Sequence, residues 1–177
     1  MNSSDNVTWT GTFTPTADTE VDNNTLSLST SWTDLAGNNG PAADATPNYD
    51  VDTQAPSGTF SFTDYLFQSG DTATVTLTFS EVVVGFSSDA DIDHPNGDLP
   101  TMISSDNKTW TGTFTPTTGE DWTNSFRLFT SYTDTAGNTG TAAWTANYIV
   151  DDNAPTVSSF TLSDTALKAG DNATVTL

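Results

Sequence analysis

Between residues 58 and 150 apolar and polar side chains alternate with period two, the spacing of strands that bury one face. The clearest stretch is 72–80, where Ala73, Val75, Leu77 and Phe79 share one face and Thr72, Thr74, Thr76 and Thr78 the other. A strand near 58–63 points Phe60 and Phe62 inward. Further strands are expected near 90–94, near 99–104, and at 109–115 with Trp110 and Phe114 inward. Two more are expected at 125–133, with Phe126, Leu128 and Tyr132 inward, and at 144–150, with Trp144, Tyr148 and Val150 on one face. Turn residues separate them: Gln68-Ser69-Gly70-Asp71, Gly85, Asn96-Gly97 and Asp106-Asn107. Asn-Gly marks a hairpin because both central residues of that turn accept positive φ. No window carries helical spacing. Seven antiparallel strands with frequent turns are the pattern of a β-sandwich, so the expected fold class is all-β.

The pattern repeats. Residues 1–15 read MNSSDNVTWTGTFTP and residues 102–116 read MISSDNKTWTGTFTP. Trp32-Thr33-Asp34-Leu35-Ala36-Gly37-Asn38 returns as Tyr132-Thr133-Asp134-Thr135-Ala136-Gly137-Asn138, and residues 69–77 return as 169–177. The unit is about 100 residues, a usual size for one sandwich. Residues 1–51 then form the C-terminal part of a first repeat, 52–151 a complete repeat, and 152–177 the first strands of a third. Met1 matches the internal Met102, so the sequence reads as an excerpt from a longer array.

Composition narrows the chemistry. Three Lys plus Arg stand against 23 Asp plus Glu, for a net charge of −20. Such a chain has no basic face for nucleic acid or for an anionic membrane surface. Ten Phe, five Trp and a charged fraction of only 15% indicate packed cores rather than disorder. With no cysteine there are no disulfides, thiolate zinc sites or cysteine nucleophiles. No apolar run approaches the ~20 residues of a membrane helix. The N-terminus has no signal-peptide pattern, so an export signal is expected outside this sequence.

Several motifs together carry a resemblance. They are Val51-Asp52-Thr53-Gln54-Ala55-Pro56, the stretch SGDTATVTLTFSE at 69–81, the Trp-Thr-Gly-Thr-Phe-Thr-Pro ladder, and Tyr132-Thr133-Asp134-Thr135-Ala136-Gly137-Asn138. This set resembles the bacterial immunoglobulin-like repeats of large secreted surface adhesins, over the whole chain. Asp151-Asp152-Asn153-Ala154-Pro155 also resembles the calcium linker of cadherins. The resemblance implies tandem immunoglobulin-like sandwiches, an extracellular bacterial surface location, neighbouring repeats as partners, and calcium at the junctions. There is no cysteine pair and no Trp on the third strand, so the antibody branch of the fold is not implied.

Ligand placement supports calcium independently. In a seven-strand sandwich the N-terminus and the loops after the second, fourth and sixth strands share one end. That end would carry Asp52, Glu81 after the second strand, Asp89 and Asp91 before the third, and Asp134 and Asn138 after the sixth. Asp50 would complete the site from the preceding strand. Asp34 and Asn38 are the first repeat's counterparts, and Asp151 and Asp152 open the next junction. Calcium takes six to eight oxygens, from carboxylates, amides and carbonyls. The competing reading is turn capping by Asp and Asn without an ion. Asp89-Ala90-Asp91-Ile92-Asp93 starts like an EF-hand but has His94 at the sixth position and Pro100 at the twelfth.

No nucleophile–base set, phosphate loop or paired-carboxylate motif is present, and the lone His94 is expected at the surface, so no enzymatic activity is expected. The Thr-Trp-Thr-Gly-Thr-Phe-Thr ladder resembles ice-binding strands, but one ladder per repeat gives no flat array. The expected function is a calcium-stiffened extender segment of an adhesin. The alternative is a module binding a glycan or protein, with Trp122 as the candidate aromatic. Weak head-to-tail self-association through the partial end repeats is also expected.

Overall fold

A computed structural model describes residues 1–41, 45–117 and 119–177, the side chains of 120–123 excepted. The strands in order are β1 (Glu20–Asn24), β2 (Tyr49–Asp52), β3 (Gly58–Phe62), β4 (Leu66–Phe67), β5 (Ala73–Phe79) and β6 (Val83–Val84). A single helical turn α1 (Ser88–Asp91) leads into β7 (Ile92–Asp93), β8 (Gly97–Asp98), β9 (Thr109–Pro116) and β10 (Glu120–Asn124). Then come β11 (Arg127–Leu128), β12 (Thr133–Asp134), β13 (Ala143–Trp144), β14 (Tyr148–Asp151), β15 (Thr161–Leu162) and β16 (Val175–Thr176).

The alternation at 72–80 builds the centre of one sheet, ordered β3-β5-β9-β8 and antiparallel throughout. Ala73, Val75, Leu77 and Phe79 are buried. Facing that sheet are β7-β11-β13, β6-β12 and β10-β14-β4. Aromatic side chains join the layers edge to face: Phe62 and Phe114 lie 4.8 and 4.9 Å from Phe126. Such geometry suits the ring quadrupole. Gly58 sits where a Cβ would come within 2.6 Å of Leu128, so the layers close tightly there. Phe67, Phe126, Leu128, Tyr132, Tyr148 and Val150 join the core, with Val83, Phe86, Ile92, Leu99, Met102 and Phe114. The fold is the all-β sandwich that the alternation predicts.

Outside this unit, β1 pairs with β2 and β15 with β16. Trp9, Phe13, Leu28, Trp32, Phe160 and Leu162 are exposed there, although they repeat positions that pack in the complete unit.

Several expected elements differ. The strand near 90–94 begins as α1, because the Ser87 carbonyl accepts from the N–H groups of Ala90 and Asp91 while the Asp91 carboxylate accepts from the Ser87 N–H. Short polar side chains that bond locally to backbone compete with sheet pairing. The expected strand near 99–104 is reduced to one bridge, Ile103 to Thr111. Residues 120–124, which the alternation assigns to no strand, pair with β14 through a bulge. The strand at 144–150 is broken: β13 pairs with β11, whereas β14 pairs with β10 and β4. The chain changes sheets at 145–147, the two-residue phase is lost, and Trp144 is 60% exposed instead of inward. At Asn96-Gly97 only Asn96 takes positive φ (57°). Gly97 is needed for space, since a Cβ would lie 2.1 Å from the Phe114 ring. His94 is half-buried against Phe126 rather than free at the surface. The outward threonines are also wider than one ladder: Thr59, Thr78 and Thr109 form a row across three strands, as do Ser61, Thr76 and Thr111.

Candidate metal centre

Three sequence-distant stretches bring carboxylates together. Asp52 ends β2, Glu81 follows β5 and Asp134 ends β12. One oxygen from each lies within 4.8 Å of the others. Asp134 is buried, 2% exposed, while Asp52 and Glu81 are half-buried.

A clasp around Pro56 fixes this arrangement. The Pro56 carbonyl accepts from the Thr141 N–H at 3.0 Å and from the Tyr132 hydroxyl at 3.4 Å. The Tyr132 hydroxyl also donates to the Thr141 carbonyl at 2.7 Å. Gly140 packs flat on the Tyr132 ring, where a Cβ would fall 2.1 Å from ring carbon. The linker and the loop after β12 are therefore held side by side, which sets Asp52 against Asp134.

The loop itself is shaped by Asp134 and Asn138. The Asp134 carboxylate accepts from the Asn138 N–H at 2.8 Å and from the Asn138 side-chain amide at 2.7 Å. The same amide reaches the Asp52 carbonyl at 3.2 Å and its carboxylate at 3.3 Å. Burial pushes the Asp134 carboxyl upward, but the hydrogen bonds from Asn138, Gly137 and Ala136 outweigh it and hold the group below the usual carboxylate value. Glu81 moves the other way. Burial raises it first, then repulsion from Asp134, Asp52 and Glu20, with Lys108 opposing. Glu20 had no signal in strand alternation, because acidic residues are depleted in strands. It lies opposite Asp52 on β1, as Glu120 lies opposite Asp151 on β10. The return of Glu20 as Glu120 one repeat later was its one legible trace.

The donor set fits a hard divalent cation. Calcium–oxygen distances of about 2.3–2.6 Å allow ligand oxygens on one ion to lie up to about 5 Å apart, and the three carboxylates meet that limit. Asp52 offers a carbonyl as well, and a rotated Asn138 amide would offer Oδ1.

The other expected ligands lie elsewhere. Asp91 is buried, with its carboxylate accepting from the Ser87 N–H and the Ser131 hydroxyl. Asp89 accepts from the Thr101 and Ser88 hydroxyls. Asp50 caps the bulge at Asn23, whose N–H it accepts at 3.0 Å. None of these three joins the cluster, because local donors and the helical turn turn their carboxylates to other partners. Asp34 and Asn38 form the same turn as Asp134 and Asn138, with amide-to-carboxylate distances of 2.8 Å, but fully exposed. Asp151 accepts from the Asn153 N–H at 2.9 Å, as Asp52 does from Gln54 at 3.1 Å. Asp152 accepts from the Gly119 N–H. Trp122, the candidate aromatic, has its side chain outside the described residues.

Residues 1–51 and, separately, residues 52–150 match a family described as bacterial Ig-like domain. No curated protein matches the chain, and no solved structure does.

Proposed function

The chain belongs to the bacterial Ig-like domain family, and on that premise we propose that it is an extender segment of a bacterial surface adhesin, stiffened by calcium at its repeat junctions. In this reading residues 1–51 end one repeat, 52–151 form the next, and 152–177 begin a third. Neighbouring repeats are its partners. The observation that carries the proposal is the meeting of Asp52, Glu81 and Asp134 within 4.8 Å. Asp52 is the last residue of β2, and β2 pairs with β1 of the first segment. Glu81 and Asp134 lie in the body of the repeat that Asp52 opens, while Asp52 itself is still strand-paired with Glu20 of the first segment. An ion shared by all three would fasten the Glu20–Asp52 strand pair to the body of the next repeat, beside the hydrogen bonds that Thr53 makes with Thr16 and Thr19. Domains of one chain move relative to each other by default unless their interface is large and hydrophobic. No helix among the described residues is long and apolar enough to cross a membrane, and the family's usual setting supports a surface-exposed location.

Thermal melts with excess calcium and with chelator test the reading. An ion that binds only the folded form raises the melting temperature by mass action, and Asp52→Ala should abolish most of that shift. Coincident wild-type melts, with no metal found in the purified protein, would refute the calcium junction.

A further inference from the structure

The complete repeat carries a second exposed feature away from the carboxylate cluster. Across β7, β11 and β13, Asp93, Arg127 and Trp144 are register partners, so their side chains leave the same face of the sheet. All three are exposed, and Trp144 is 60% open. Arg127, the chain's only arginine, lies 5.5 Å from the Trp144 ring centre and 4.9 Å from that of Phe129.

The first segment carries small residues where Arg127, Phe129 and Trp144 stand in the complete repeat. Thr145 accepts from the Phe126 N–H and Thr46 from the Leu26 N–H, each at 2.9 Å, which aligns Trp144 with Ala45. Arg127 faces Trp144 as Ser27 faces Ala45. Phe129 then falls at Ser29. The first segment makes the Arg127–Trp144 pairing with Ser27 and Ala45, so that pairing does not depend on the bulky side chains.

We propose that Asp93, Arg127 and Trp144, flanked by Phe129, form a platform for the sugar ring of an uncharged oligosaccharide. The exposed indole presents a negative face to the C–H groups on one side of a pyranose. The guanidinium donates to sugar hydroxyls and the Asp93 carboxylate accepts from them. The row holds one positive and one negative group, and the chain's charge of −20 repels polyanions. Both favour a neutral ligand. Three strands at about 4.8 Å spacing give a row near 10 Å long, the scale of one or two sugar rings. A stable protein partner needs roughly 800 Å² from each side. The site is flat rather than concave, so affinity is expected in the range of ~0.1–10 mM.

The test is an NMR titration of the whole chain, in chelator so that the calcium reading plays no part. The probes are di- to tetrasaccharides of glucose, galactose, mannose and N-acetylglucosamine. At least one should shift the Trp144 indole N–H signal saturably, that signal being identified by its loss in Trp144→Ala. Trp144→Ala and Arg127→Ser install the residue types found at Ala45 and Ser27, so both variants should melt like wild type and bind at least ~10-fold more weakly. An unshifted indole signal at ~20 mM of every probe overturns the proposal. So does wild-type binding by both variants, or binding confined to anionic polysaccharide or to a protein.

Discussion

Glu81 and Asp134 sit side by side yet respond oppositely to protons. Glu81 is raised above its ordinary 4.5 by burial and by three neighbouring acids. A carboxyl whose folded value is raised stabilises the fold fully below its unfolded value and loses that contribution as pH rises through the folded one. Asp134 is lowered below 3.8, so its contribution is present above that value and disappears as pH falls through the folded one. Without metal, stability is therefore expected to fall on the acid side through Asp134 and again above pH 4.5 through Glu81. Replacing Glu81 with Gln should flatten only the upper limb in chelator-treated melts. Excess calcium should reverse the sign of that limb, because deprotonation then creates a ligand. An unchanged upper limb in Glu81→Gln would show that another group causes it.

Among the elements, β8 is the most sharply constrained by one residue. Gly97 leaves no room for a methyl group beside Phe114. Gly97→Ala should cost about 1–3 kcal/mol through overpacking, read as a lower urea midpoint at unchanged slope. A midpoint within error of wild type would mean that the Phe114 ring yields freely. The sandwich itself was legible wherever one face of a strand is buried and the other wet, as in β5, since alternation records that asymmetry directly. It was not legible where a strand changes partners. Nothing at 144–150 marks the switch from β11 to β10 and β4, so Trp144 was assigned to the wrong face. At the carboxylate cluster, Asp52, Glu81 and Asp134 could be placed from topology because each follows or ends a recognisable strand. Asp89, Asp91 and Asp50 could not, because their directions depend on hydrogen bonds to Thr101, Ser87 and the Asn23 backbone. Spacing alone says nothing of these.

At the scale of the whole molecule the two end segments are complementary. Residues 169–177 repeat the sequence that forms β5, and residues 8–15 repeat β9. In the complete unit those strands pair from Ala73–Phe114 to Thr78–Thr109. Trp9, Phe13, Phe160 and Leu162 are exposed in the two ends. We propose that, in a polypeptide consisting of residues 1–177 alone, the tail of one copy seats on the head of another, a heterologous contact that propagates as open chains. Sedimentation should show concentration-dependent growth that a free peptide of residues 152–177 suppresses, and a single monomer at all concentrations would exclude it. The placement of β4 has a mechanical consequence for such a string. It runs parallel to β14, with Ile149 donating to the Tyr65 carbonyl at 2.9 Å. Tension applied through the two ends of the unit pulls β14 forward along its axis. Once β3 is drawn away, the same tension drags β4 backward. Parallel neighbours hauled in opposite directions slide rather than peel, so their hydrogen bonds share the load and fail together. Under flow the unit would hold until that pair shears.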